Sequence, residues 1–155
     1  MKNYLKLIIS LLIPLLIGYA SSLFNIAALA NWYPTLTKPT FNPPSAIFGP
    51  VWTILYLMIG LSLYFLWTAR TKREKKTAYI FFTVQLILNF FWTFIFFGLN
   101  KIFPALIEII ILWITILLTI IYSYKISKKS AYLLIPYLLW VTFATILNFA
   151  FWILN

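Results

Sequence analysis

Residues 104–124 read PALIEIIILWITILLTIIYSY and hold a single charged side chain, Glu108. A helix rising 1.5 Å per residue needs about 20 apolar residues to cross a hydrocarbon core of roughly 30 Å, and this run meets that length. Isoleucine and leucine occur on all sides of the helix, so no polar face is left for water. The solvent for this segment is lipid.

Four further runs repeat the pattern, over about residues 5–30, 50–69, 78–97 and 131–153. With 104–124 they predict an all-α membrane protein, a five-helix transmembrane bundle occupying residues 1–155 as one domain. The balance of the whole chain agrees. It is 64% hydrophobic and 9% charged, where soluble domains carry roughly a quarter charged residues. No repeat of fixed period is present. Pro14 predicts a kink in the first span, because it removes a donor and crowds the preceding turn. A competing reading takes Lys2, Lys6 and the Ala28-Leu29-Ala30 triplet as a signal peptide with its cleavage site. The apolar run is too long for a usual leader core, and cleavage there would start the chain inside an aromatic-rich motif. Pro50 is expected in the first turn of the second span, where a missing N–H costs nothing.

The formal charge of +10 comes from twelve Lys and Arg against Glu74 and Glu108. These positives sit in short loops between apolar runs, which indicates topology and headgroup contact rather than nucleic-acid binding. Lys2, Lys6, Arg70, Lys72, Arg73, Lys75, Lys76, Lys125, Lys128 and Lys129 fall on one side of five spans, and only Lys38 and Lys101 on the other. That bias predicts an N-terminus inside and a C-terminus outside, in a multi-pass protein of the bacterial cell membrane.

Four constellations bear on function. The connection from Asn31 to Gly49 has prolines at 34, 39, 43 and 44 and carries Trp32, Tyr33, Phe41 and Phe48, with Trp52 just beyond. Prolines fix φ and lack an N–H, so this loop can form a stiff cover over the mouth of a bundle. An aromatic belt at the membrane interface explains the same residues, and spacing alone favours the belt. In the third span Gln85, Asn89, Trp92 and Phe96 fall within about 60° of one another at 100° per residue. Amides are costly against lipid, so this face points inward, either as interhelical glue or to orient an apolar ligand. In the fifth span Tyr137, Trp140, Ala144 and Asn148 share a face, with a small residue leaving a recess between aromatics. A flat ligand or ordinary helix packing would each use it, and packing is the simpler reading. Glu108 must face protein, water or the interface, since a carboxylate near mid-bilayer costs about 3 kcal/mol on insertion scales. Leu112, Thr115, Thr119 and Tyr122 continue its stripe.

Histidine and cysteine are absent, which removes thiol nucleophiles, Ser-His-Asp arrangements and the usual metal ligands. Haem iron would have to rely on Tyr or Met. No metal and no required cofactor are expected. What the residues outline is an intramembrane cavity lined by aromatics and capped by a proline-rich loop.

The segments WYPTLTKPTFNPP, FGPVWTILYLMIG, LNFFWTFIFFG, ALIEIIILW and AYLLIPYLLWVTFATILNFAFWILN, in this order, resemble the TspO/MBR family of translocator and tryptophan-rich sensory proteins. The resemblance spans nearly the whole chain. It implies five helices, frequent homodimers, and a porphyrin- and drug-binding cavity capped by the first long loop. Carried over by position, it implies ligand contacts at Tyr33, Pro43, Trp52, Asn89, Trp140 and Ala144. It further implies that Trp52 and Trp140 take part in light-dependent breakdown of bound protoporphyrin. Phe41 stands where the loop motif often has Trp. The last span ends without the Lys or Arg of the proposed sterol motif, so cholesterol recognition is not supported.

The leading expectation is therefore a membrane protein that binds protoporphyrin IX or a related tetrapyrrole, with a sensory, protective or trafficking role. Lys38, Phe41, Gln85, Trp92, Tyr137 and Asn148 join the expected contact set, with Lys38 a partner for the propionates. The alternatives are a photochemical porphyrin-degrading catalyst working through Trp52 and Trp140, and a transporter component. Carriers typically have broken helices and midplane ionisable groups, whereas this chain offers Pro14 and Glu108.

Overall fold

The structure is a computed structural model and describes residues 2–155. It is all-helical: α1 (Asn3–Asn31), a 3-10 turn (Tyr33–Thr35), α2 (Ser45–Thr68), α3 (Lys76–Thr93) extended by a π-helical turn (Phe94–Gly98), α4 (Ile102–Tyr124), α5 (Lys128–Leu133) and α6 (Ile135–Leu154). Five helical spans, with α5 and α6 together forming the fifth, are long and apolar enough to cross a membrane.

The bundle interior is mostly apolar but also takes up the polar side chains of the spans, while the outer surface is apolar. In α4, Ile107, Ile110, Ile111 and Ile114 are exposed while Glu108, Thr115 and Thr119 are buried. Exposed isoleucines beside buried polar groups fit apolar surroundings, since polar groups are penalised in lipid. Helix contacts are correspondingly close. A Cβ on Gly60 would stand 2.8 Å from the Leu11 Cα and the Ser10 carbonyl, so α1 and α2 touch backbone to backbone. A Cβ on Gly18 would overlap the Tyr56 ring. Ser62 of α2 bonds the Ser130 carbonyl (2.8 Å) and pairs with its hydroxyl (2.9 Å), joining α2 to α5.

The ends of the elements follow from local chemistry. α2 starts at Ser45, earlier than the proline-based expectation of about 50. Pro50 is thus in the second turn, where the Ala46 carbonyl loses its usual donor. At the other end of α2, Lys75 Nζ donates to the carbonyls of Leu66 (3.0 Å), Trp67 (3.1 Å) and Ala69 (2.8 Å), capping groups that the helix itself cannot satisfy. Arg73 Nη1 does the same for Lys125 beyond α4 (2.9 Å). Asn100 adopts φ 56°, the left-handed conformation that asparagine tolerates, and turns the chain from α3 into α4. The fifth span begins at Lys128, not near 131, and breaks at Leu134, since Pro136 has no N–H to continue the ladder. Helix α1 is continuous through Pro14, which is buried.

Candidate functional site: an aromatic cavity beneath the proline strap

The chain from Asn31 to Pro44 crosses one end of the bundle as a strap. Tyr33 is its anchor, 4% exposed, with its hydroxyl donating to Asn42 Oδ1 (2.9 Å). Burial pushes the Tyr33 phenol above its ordinary value of 10.0, and the Asn42 contact offsets part of that rise. The strap's flank is held by Asn155: Thr37 N–H donates to Asn155 Oδ1 (2.8 Å) and Asn155 Nδ2 to the Thr37 carbonyl (3.0 Å).

Beneath it lies a cavity of about 600 Å³, within the range of small-molecule sites. Its walls are Gly18, Ser21 and Asn25 from α1; Phe48, Trp52 and Tyr56 from α2; Trp92, Phe96 and Phe97 from α3 and its π-helical turn; and Trp140, Ala144 and Asn148 from α6. Among the described residues no charged side chain lines it. Tyr19, Ser22, Gly49 and Thr53 border the cavity and are exposed on the outside, so the mouth opens between α1 and the start of α2.

The walls are held by polar bonds placed behind the aromatic surface. Trp52 stacks on Tyr56 (5.6 Å between centroids, 29°) and stands 6.5 Å from Trp92. The Tyr56 hydroxyl donates to Asn89 Oδ1 (2.6 Å), and Asn89 Nδ2 donates to the Tyr137 hydroxyl (3.0 Å). Asn148 Oδ1 accepts from Trp92 Nε1 (3.1 Å), while its Nδ2 donates to the Ile102 carbonyl (3.0 Å), tying α3, α4 and α6 together. Trp140 meets Phe48 edge-on at 6.2 Å and Phe143 at 5.5 Å.

Of the residues singled out in the sequence, the structure brings Tyr33, Trp52, Trp92, Trp140, Ala144 and Asn148 onto the cavity wall. Asn89 and Tyr137 stand one layer back, supporting Trp52 and Tyr56. Gln85 is fully buried with neither amide atom bonded, and Glu108 is buried with both oxygens unpartnered. Neither lines the cavity. Pro43 also lies off the wall, and Phe41 is exposed, touching Phe143 edge-on at 6.4 Å. Lys38 is likewise off the wall, its Nζ resting 4.9 Å over the Tyr33 ring. Helix α1, which carries none of the four constellations, supplies a whole side of the cavity. The signal was available as small or polar residues at Gly18, Ser21, Ser22 and Asn25 in an otherwise apolar run, one helical face by spacing. Among the described residues no cluster of His, Cys, Asp or Glu could hold a metal ion.

Comparison with known proteins matches residues 10–153 to the model of the TspO/MBR family. The chain belongs to that family. It is 46% identical to the tryptophan-rich protein TspO of Archaeoglobus fulgidus over 153 residues, covering 99% of each chain. Against the tryptophan-rich protein TspO of Chlorobaculum tepidum it is 41% identical over 155 residues, covering 99% and 98%. The human translocator protein is 36% identical over 124 residues, 79% of this chain and 73% of that one. This TspO/MBR chain is thus a multi-pass membrane protein, and its similarity to the two tryptophan-rich TspO proteins runs over nearly its whole length.

Proposed function

We propose that this TspO/MBR protein binds tetrapyrroles of the protoporphyrin type in the cavity, in a sensory, protective or trafficking role. The observation that carries this reading is a wall built from Trp, Tyr and Phe of the strap, α2, α3 and α6, with no charged side chain of the described residues on it. A porphyrin macrocycle presents a broad apolar π face, and aromatic side chains hold such a face without gripping a metal. Its propionates require a polar exit. Lys38, beside Tyr33 at the strap, is the cation nearest that role. We further propose the N-inside, C-outside orientation, since the cations of the second and fourth connections gather at the end away from the strap. A homodimer is proposed on the family resemblance.

The test is saturable quenching of tryptophan fluorescence by protoporphyrin IX. Aromatic contacts add about 0.5–1.5 kcal/mol each beyond area burial, so a Trp52→Ala, Trp140→Ala double variant should lose roughly tenfold in affinity. Unchanged affinity would remove the cavity from the reading. A second reading, photochemical degradation of the bound pigment, is favoured by one observation: two oxidisable indoles, Trp52 and Trp140, line the cavity. Illuminated complex that bleaches no faster than porphyrin in empty micelles would dismiss it.

A further inference from the structure

The end of the bundle away from the strap concentrates charge. Lys2, Lys6, Arg70, Lys72, Arg73, Lys75, Lys76, Lys125, Lys128 and Lys129 meet there, with Glu74 as the lone acid of those segments. Lys75 is committed to the carbonyls of α2, and one Arg73 N–H to the Lys125 carbonyl. Others place their ammonium groups over aromatic rings at the ends of spans: Lys6 over Trp67 (5.8 Å), Lys125 over Tyr122 (5.0 Å) and Lys129 over Phe65 (5.6 Å). Lysines at the ends of spans keep their ammonium groups at the level of lipid headgroups. Repulsion among so many cations calls for anions from outside the chain.

Part of this surface is concave. A recess of about 210 Å³ lies between the α2–α3 connection and the end of α4, lined by Arg73, Glu74, Thr77, Ala78, Tyr122, Lys125 and Ile126. Its cations are Arg73 and Lys125, and Thr77 adds a hydroxyl. The first turn of α3 carries Thr77 and Ala78 into the lining, where helix N–H groups have no partner within the helix. Glu74 cancels one charge, and Lys72 and Lys76 flank it in sequence. Towards the membrane interior the wall continues as Tyr122 stacked on Phe81, 5.2 Å apart and 13° from parallel. Exposed Ile80, Val84 and Ile121 lie on the same two helices. A cationic head pocket above an aromatic and aliphatic track is the shape of a phospholipid, not of a free ion.

We propose that this recess binds an acidic glycerophospholipid. The Arg73 guanidinium and Lys125 ammonium hold the phosphodiester, Thr77 donates to a phosphate oxygen, and an acyl chain follows the Phe81–Tyr122 face. The binding is independent of the cavity and of any pigment in it.

The experiment is native mass spectrometry of the full chain released from neutral detergent, with phosphatidylglycerol, phosphatidylcholine or inorganic phosphate as the probe. The expected result is a phosphatidylglycerol adduct that forms at several-fold lower concentration than the phosphatidylcholine adduct, with no retained inorganic phosphate. Arg73→Gln with Lys125→Gln should abolish that preference. Thr77→Asp, which puts a carboxylate into the recess and leaves the Arg73 bond intact, should abolish it too. Lys2→Gln with Lys6→Gln removes the same charge elsewhere on this end and should leave the preference in place. Circular dichroism of each variant establishes that it is folded. Equal uptake of the two lipids, retention of inorganic phosphate, or equal losses in the Lys2/Lys6 and Arg73/Lys125 variants would overturn the site.

Discussion

Asn155→Ala isolates the strap from the rest of the bundle. The Asn155 amide is paired twice with the Thr37 main chain, at 2.8 and 3.0 Å, and once with the Phe151 carbonyl, at 2.9 Å. Each such bond contributes about 0.5–1.5 kcal/mol net, and the exposed position places these at the lower end. Losing both bonds to Thr37 therefore shifts strap opening by about 1–2 kcal/mol, a factor of roughly 5–30 in the open population. Hydrogen exchange of the peptide containing the Thr37 amide reads this directly, because exchange follows the population of the open form. The Thr37 amide should exchange faster by that factor, and bound porphyrin should leave faster. Thr37→Ala keeps both main-chain groups and should change neither. Exchange unaltered in Asn155→Ala, or raised equally by Thr37→Ala, would refute the assignment of Asn155 as the strap's clasp.

Gly60→Ala places a methyl group 2.8 Å from the Leu11 Cα, where only backbone can yield. Overpacking of this kind costs about 1–3 kcal/mol, read as a lower thermal midpoint in detergent. Asn89→Leu strands the Tyr56 and Tyr137 hydroxyls, at about 1–3 kcal/mol for each unsatisfied group. Adding Tyr56→Phe and Tyr137→Phe should recover most of the loss in the same melt. Burial raises the Tyr33 phenol above 10.0, so the folded strap holds that proton more tightly than the unfolded chain. Its contribution is fully present below pH about 10 and is lost as pH rises through the raised value. An alkaline step in strap exchange, absent in Tyr33→Phe, checks this.

The five spans were legible because lipid imposes a length and a composition on every crossing, and Ile107 to Leu118 admits only one charged residue. The faces that carry Trp92, Trp140 and Asn148 to the cavity wall were legible as stripes at helical spacing, and Trp52 was singled out with the aromatics of the proline-rich connection. Three features were not. The start of α2 at Ser45 was masked by Pro50, a residue that favours the first turn of a helix but here lies in the second. The π-helical turn at Phe94–Gly98, closed by Leu99 N–H to the Phe94 carbonyl (2.9 Å), has no periodic signature, since one extra residue only rotates the following face. It sets Phe96 and Phe97 on the cavity wall. Asn89 and Tyr137 share faces with wall residues, and periodicity cannot separate a wall from the layer behind it. Depth depends on the neighbouring helix, here on Tyr56 reaching Asn89 from α2.

The most direct measurement is a crystal structure of the full chain grown from lipid with protoporphyrin IX present. The expected result is a planar macrocycle beneath the strap, in contact with both Trp52 and Trp140, its propionates turned toward Lys38. A macrocycle found only on the lipid-facing surface, with the aromatic chamber closed on itself, would contradict it.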